Sequence, residues 1–379
     1  MDMQKRWIIL FVALLSISFL GLFYSGHEGV FTDIDSNLNF ADIAWMITAT
    51  IFVLMMTPGL SFFYGGMVRS KNVISTMLQS FIAMGVISVI WVVVGFSLAF
   101  GEDVGHFIGN PGTFFMFVNV GGATDKLLAP TIPLALYALF QMKFAIITPS
   151  LITGSFAERV RFSGYLVFMI LFCIFVYCPL AHWTWHPDGF LRQMGVLDFA
   201  GGIVVHASSG VAALAGAIFL GRRESGQPAN IPFVLLGAAM LWLGWFGFNA
   251  GSSLAANSIA VKAFLNTNTA SATAMMTWVV FDCLRGRKPS AMGAAIGAVV
   301  GLVAITPSAG YVTVGESIFI ALVVTVICNM AVSWKNKKNS FDDALDVFPT
   351  HGVGGIVGTI MTGIFVYNAT ENITYWQNL

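Results

Sequence analysis

Charge is what this sequence has least of. Only 9% of its 379 residues are Asp, Glu, Lys or Arg, against about 25% in an ordinary soluble domain. So small a charged fraction excludes a soluble globular chain, and a mean hydropathy of +0.82 places this one in a membrane. The formal net charge is zero, so the balance points to neither nucleic acid nor an acidic partner. Cysteine is scarce as well. Cys173, Cys178, Cys283 and Cys328 fall in or beside apolar runs, at spacings that match no disulfide or metal framework. No nucleophile–base pair, metal-ligand cluster or cofactor motif stands out, so the sequence is not read as an enzyme.

What the chain does have is apolar length. Stretches able to cross a core about 30 Å thick run over 7–24, 42–66, 73–101, 130–158, 162–182, 199–221, 231–256, 262–284, 291–306, 311–334 and 351–368. The fold class is therefore an all-α polytopic membrane protein. Positive charge gathers between the spans at Arg69 and Lys71; Arg159 and Arg161; Arg222 and Arg223; Arg285, Arg287 and Lys288; and Lys335, Lys337 and Lys338. Two spans separate each cluster from the next, so all five share one side, the cytoplasm by the positive-inside rule. The opposite loops hold only Lys126, Arg192 and Lys262, with Glu102, Asp103, Asp125, Asp188 and Asp198. The apolar run 7–24 follows Lys5 and Arg6 and so starts from the inside, and 1–24 reads as a signal sequence or an extra N-terminal helix. Residues 25–41 are polar and external, and the end at 369–379 is polar and external too.

Ionisable groups inside spans are costly, so each is a functional hypothesis. His206 sits in AGGIVVHASSG and His351 in DVFPTHGVGGIVGTIMTG, both near mid-depth of their spans. One buried histidine is commonly a satisfied core residue. Two at similar depth, five spans apart and among glycines, are a candidate pair that shares and relays a proton. An inverted repeat of five spans would set them opposite each other. Asp198 lies eight residues before His206, about 12 Å along an ideal helix, too far for a dyad. At the outer start of the span it either caps free N–H groups or takes a chemical role. Asp346, five residues before His351, is expected to cap in the same way. Lys143, with no acid near it in sequence, is expected to face an interface.

Aromatic residues add a second pattern. Phe140 and Phe144 stand one helical turn apart. Trp183 and Trp185 occupy the outer segment CPLAHWTWHPDG, and Phe246 and Phe248 precede Ser252 in GWFGFNAGSS. Trp183 fits an interfacial belt. Rings gathered at an outer mouth can instead hold a small cation, worth about 2 kcal/mol when desolvated. The residues together describe a vestibule of rings and hydroxyls, a phenylalanine constriction, and two imidazoles in an apolar lumen. No TVGYG-like filter for a permanent ion occurs. A cation able to leave its proton behind, ammonium or a methylated amine, escapes the penalty of a bare charge in that lumen.

Five stretches carry a resemblance to a known family: FYGGMVRSKN (63–72), FAIITPSLITGSFAERVRF (144–162), LDFAGGIVVH (197–206), GWFGFNAGSS (244–253) and DVFPTHGVGGIVGTIMTGIF (346–365). In order and spacing over 42–368 the sequence resembles the ammonium transporters of the Amt/Mep/Rh superfamily, on the Amt side. The resemblance implies an inverted repeat of five plus five helices (42–221 and 231–368), a pore in each subunit, and a homotrimer in the cytoplasmic membrane. Carried over by motif, Phe140, Phe144, Trp185 and Ser252 are the external ammonium-recruitment site, and Phe144 with Phe248 the gate. His206 with His351 is the twin-histidine pair, and Asp198 the essential acid of the outer mouth. No cofactor is implied. The family carries one further span and a cytoplasmic tail, expected to be lacking here together with control by a PII-type regulator. That expectation keeps open an alternative, an ammonium sensor module with little transport. Lys143 stands where the family usually has a small or apolar residue.

Overall fold

The computed structural model describes residues 3–24, 31, 35–223, 226–338 and 341–367. The expected polar end at 369–379, and most of the outer segment between 25 and 34, lie outside them. The apolar stretches become eleven long helical units in the expected order. They are α1 (Met3–Tyr24), α2 (Phe40–Met67), and α3 (Val73–Ile90, a π turn at Trp91–Gly95, then Phe96–Phe100). Next come α4 (Leu134–Phe156) and α5 (Phe162–Phe172, a π turn at Cys173–Tyr177, then Cys178–Trp185). A π turn at Gly202–Ala207 opens α6 and runs into Ser208–Leu220. Then follow α7 (Ile231–Ala250), α8 (Ser258–Leu284), α9 (Ala291–Ile305) and α10 (Val314–Lys338). Finally α11 opens with a π turn at Phe348–Val353 and continues as Gly354–Tyr367. Among the described residues nine helices are long and apolar enough to cross a membrane. The two others differ for opposite reasons: α9 is apolar but short, and α8 is long but carries the polar run NTNTASAT at 266–273.

Helix starts are set by short polar side chains that accept orphan backbone N–H groups. Asn39 accepts from Ala41 and Asp42, Asn230 from Phe233, Asn257 from Ala260, and Ser290 from Gly293. The first helices of the two halves, α2 and α7, lie along each other. Asp42 ties their outer ends by accepting from the Ala256 N–H at 2.8 Å. The last helices of the halves, α6 and α11, meet through the π turns that begin them. These two pairings, first helix with first and last with last, are ones that the expected inverted repeat calls for. The first helix, α1, runs along the outside, with Trp7 against Phe162 and Tyr24 against Phe115.

The enclosed helix is α4. From Phe140 to Phe156 every side chain on it is buried. Lys143 therefore does not face an interface, contrary to the expectation from sequence. It is 9% exposed, and its Nζ lies 3.8 Å from the Met142 sulfur. The reason is packing: α2, α3 and α6 cover α4 from several sides, so no side of the helix at this depth reaches the surface.

Three of the five positive clusters meet at one end of the molecule. Buried Glu158 accepts from the Arg69 N–H at 2.9 Å and from Arg69 Nε at 3.1 Å, and Arg223 comes within 3.5 Å. Arg223 also pairs with Asp342, while Arg159 donates to the carbonyls of Ser155, Gly221 and Asp342. This belt joins the C-terminal ends of α2, α4 and α6 to the segment that leads into α11. Burial opposes ionisation of Glu158, but hydrogen bonds from Asn72 and Arg69 and the Arg223 charge outweigh it and hold the carboxyl below its usual range. Removing one partner of such a group costs about 3–5 kcal/mol, so Glu158→Gln lowers the melting temperature markedly. A carboxyl with a depressed folded pKa contributes stability above its unfolded value and loses it as pH falls through the folded one. The gap between wild type and variant is therefore full at neutral pH and closes below about pH 4, which a thermal-shift series reads directly.

Candidate functional site

Four of the expected site residues line one cavity at the outer face. Phe144 of α4, Trp185 at the end of α5, Asp198 before α6 and Ser252 after α7 border a space of ≈ 110 Å³. Phe140 does not line it; the ring stands behind Phe144, edge-on at 4.9 Å. Trp185 meets Phe144 at 5.8 Å, also edge-on. The Ser252 hydroxyl donates to the Phe248 carbonyl at 2.8 Å, which leaves its oxygen to accept from whatever occupies the space. Trp183 and Phe246 lie elsewhere. Trp183 packs on Phe107 and Phe190, and Phe246 stacks on Phe264 at 4.0 Å.

Asp198 performs the capping its position allows, with unusual completeness. One carboxylate oxygen accepts from the N–H groups of Gly201 (2.8 Å) and Gly202 (2.6 Å), the other from Ile203 (2.8 Å) and Val204 (3.2 Å). Burial pushes the pKa of this carboxyl up, and the four donors work against that shift. Its backbone carbonyl accepts from Trp185 Nε1 at 3.0 Å, so one residue fixes both the start of α6 and the indole at the mouth. Asp198 and His206 do not share one regular helix. Residues 198–201 are a loop, Gly201 takes φ +117° there, and α6 begins at Gly202. A side chain at that φ is strained, and the built Cβ would also meet Val205 at 2.7 Å.

Below the vestibule Phe144 and Phe248 lie stacked, 4.2 Å between centroids and 28° between planes. Past them is a cavity of ≈ 10 Å³ bordered by His206, His351, Trp245 and aliphatic side chains from α2, α4 and α7. That is room for about one water-sized molecule. Nδ1 of His206 and Nδ1 of His351 are 3.2 Å apart, with the rings 5.3 Å apart and 29° from parallel. Two facing Nδ1 atoms bond only when one carries a proton and the other does not, so the pair shares one proton between them. Nε2 of His206 is buried and has no protein partner among the described residues. Both histidines lie in the π turns of α6 and α11, where backbones touch. A Cβ on Gly210 would stand 2.1 Å from the Gly352 nitrogen.

The acid that caps the second π turn is Asp343, not Asp346. Asp343 accepts from the Phe348 N–H at 2.7 Å, while Asp346 takes φ +59° and pairs with Lys335. A left-handed residue turns the chain away from the helix axis, so the Asp346 carboxylate cannot reach back to cap. Asp343 precedes His351 by eight residues, as Asp198 precedes His206. Burial raises its pKa to about 6.

A profile of the Ammonium Transporter Family matches residues 44–378. The chain belongs to the ammonium transporter family. An ammonium transporter of Aquifex aeolicus is 44% identical over 353 residues, 92% of this chain and 82% of that protein. One from Bacillus subtilis is 45% identical over 340 residues, 88% of this chain and 83% of that protein. Among solved structures, Saccharomyces cerevisiae Mep2 superposes with a TM-score of 0.83 at 37% identity, over 88% of this chain and 75% of that one. As a member of this family the protein is a multi-pass membrane transporter rather than an enzyme.

In this transporter three further residues border the same path and escaped sequence reasoning. Trp245 stacks on His206 at 5.2 Å and 21°, and donates to Thr306 at 2.9 Å. Its spacing of three from Phe248 was the available signal, since i and i+3 share a helix face. Gln141, one residue after Phe140, lines the vestibule with a buried Oε1 that has no partner among the described residues. Arg192, which sequence places simply in an outer loop, lines it as well.

Proposed function

We propose that this protein carries ammonium across the cytoplasmic membrane by gathering the cation at the outer vestibule and passing ammonia through the histidine lumen. The observation that carries this reading is the His206–His351 pair, 3.2 Å apart, immediately beyond the Phe144–Phe248 stack. Trp185 and Phe144 offer ring faces to the cation, and Ser252 offers an acceptor oxygen; Phe140 backs Phe144. A bare charge in an apolar lumen costs on the order of tens of kcal/mol by Born solvation, far above the ~2 kcal/mol that rings return. The cation therefore gives up its proton as it passes the stacked rings into the lumen, to the bare Nε2 of His206, and goes on as neutral ammonia. As His206 Nε2 takes that proton, the Nδ1 proton of His206 passes to Nδ1 of His351, and His351 releases one from its own Nε2, so the pair relays one proton for each ammonia. Permanent ions of the same size, such as potassium, cannot take this route.

The protein works as a homotrimer in this reading. Asn268 is exposed on α8, bordering a groove of ≈ 740 Å³ with Phe264, Leu265 and Trp45. An amide exposed on a helix of membrane-spanning length is costly against lipid and suits burial against another copy. Protein reconstituted in liposomes gives a saturable inward current on addition of ammonium and none on addition of potassium. It also restores growth of transporter-deficient cells on low ammonium. Ammonium binding with neither current nor rescue would sink the proposal and favour a sensor.

A further inference from the structure

The vestibule that should attract a cation already contains one. Arg192, in the short outer helix Phe190–Gln193, borders the same ≈ 110 Å³ cavity as Phe144, Trp185 and Ser252. It is half-buried and shares the lining of the cavity with Tyr311. A guanidinium resembles the cargo in the respects that matter: one positive charge, N–H donors, and affinity for aromatic faces. The acceptors here, Ser252 Oγ and the unpartnered Gln141 Oε1, suit either cation. The cavity is small enough that anything inside it lies within a Debye length, about 10 Å at 0.1 M salt, of the guanidinium. Arg192 and the buried Asp198 are the charged side chains that line the vestibule, and the Asp198 carboxylate is taken up by four backbone N–H groups, so Arg192 is the lining charge that opposes entry of a cation.

We propose that Arg192 is a tethered counterpart of the substrate that sets the ammonium affinity of the outer site and makes it depend on ionic strength. The proposal rests on the recruitment role given to this vestibule above. Two unit charges about 8 Å apart repel strongly enough to weaken binding twofold at a water-like dielectric and about thirtyfold at an effective dielectric of about 20. Screening in a part-open cavity places the effect between these, at about three- to tenfold.

The test titrates ammonium chloride against purified wild type, Arg192→Gln and Arg192→Lys at low and high salt, with two readouts. Binding is read from tryptophan fluorescence, with Trp185→Phe as the control that isolates the vestibule indole from the other nine tryptophans. Transport is read as the half-saturating ammonium concentration of the current in liposomes. The expected result is tighter binding and a lower half-saturation in Arg192→Gln, by about three- to tenfold at low salt, converging on wild type at high salt. Arg192→Lys, which keeps the charge, stays near wild type. An unchanged half-saturation and binding constant in Arg192→Gln overturns the proposal. So does a Lys variant that shifts as far as the Gln variant, because the effect is then one of shape. Currents absent from all proteins while binding shifts as expected would defeat the transport reading and leave the role of Arg192 standing.

Discussion

Changing Gly210 to alanine cuts ammonium flux at least about tenfold and destabilises the fold by about 1–3 kcal/mol. The added Cβ would lie 2.1 Å from the nitrogen and 2.2 Å from the Cα of Gly352, and 3.0 Å from the carbonyl carbon of His351. These are backbone atoms of the π turn that carries His351, so no side chain can swing aside to relieve the overlap. The turn must retreat by more than an ångström to reach ordinary contact. The 3.2 Å between the two Nδ1 atoms then stretches past hydrogen-bond reach, about 3.5 Å at the outside, and the shared proton loses its second site. Gly363→Ala, on the same α11, provides the control. Its built Cβ meets nothing within 4 Å, so flux and melting temperature stay at the wild-type level. A Gly210→Ala protein with normal flux would mean that the close approach of α6 to the π turn of α11 is not needed for conduction.

The second large effect belongs to Asp198. In Asp198→Ala four backbone N–H groups at the start of α6 lose their acceptor at once, and each buried orphan costs about 1–3 kcal/mol. Water at the vestibule repairs part of this, so the expected loss is about 3 kcal/mol or more, with ammonium transport abolished. Asp198→Asn distinguishes charge from geometry. An amide keeps one acceptor oxygen but turns an NH₂ group toward two N–H donors, so it loses about half of the cap and adds a repulsive contact. Its melting temperature should fall nearly as far as that of the alanine variant. If Asp198→Asn were as stable as wild type yet inactive, the acid would act chemically on the substrate, and the scaffold role argued from its four bonds would be wrong.

Much of this arrangement can be read from sequence because membranes make polar residues conspicuous. The five basic clusters mark one side of the bilayer, and the belt of Arg69, Glu158, Arg159, Arg223 and Asp342 gathers most of them at one end of the fold. His206 and His351 stand out as two imidazoles at similar depth in spans five apart, and they do meet. Phe144, Trp185 and Ser252 come together as the motifs imply, with Phe140 one layer behind. What sequence hides is local register. A π turn adds one residue to a helical turn and has no compositional signature over five or six residues. The two turns that present the histidines are therefore invisible in sequence, and the helical spacing expected from Asp198 to His206 belongs to a regular helix that does not exist there.

Long-range packing hides the rest. Nothing near Lys143 reveals that α4 is enclosed from Phe140 onward, since helix periodicity reports one neighbouring face and not several. Arg192 turns inward because the loop after α5 folds back over the mouth, where the Phe199 N–H bonds the Pro307 carbonyl at 3.1 Å. The Asp346 expectation failed on a single dihedral, φ +59°. Asp343 stands eight residues before His351 as Asp198 stands eight before His206, a spacing that the structure makes meaningful only by showing both acids at the starts of their π turns.

The claim at the centre of this account is that the charge leaves ammonium at the histidine pair and travels as a relayed proton. Ammonium-elicited current in liposomes carrying His206→Ala, with folding checked by melting temperature, tests it most directly. The account expects the current to fall at least about tenfold while ammonium binding at the vestibule, read from Trp185 fluorescence, stays at the wild-type level. A His206→Ala protein that conducts ammonium with undiminished current and still excludes potassium would contradict it.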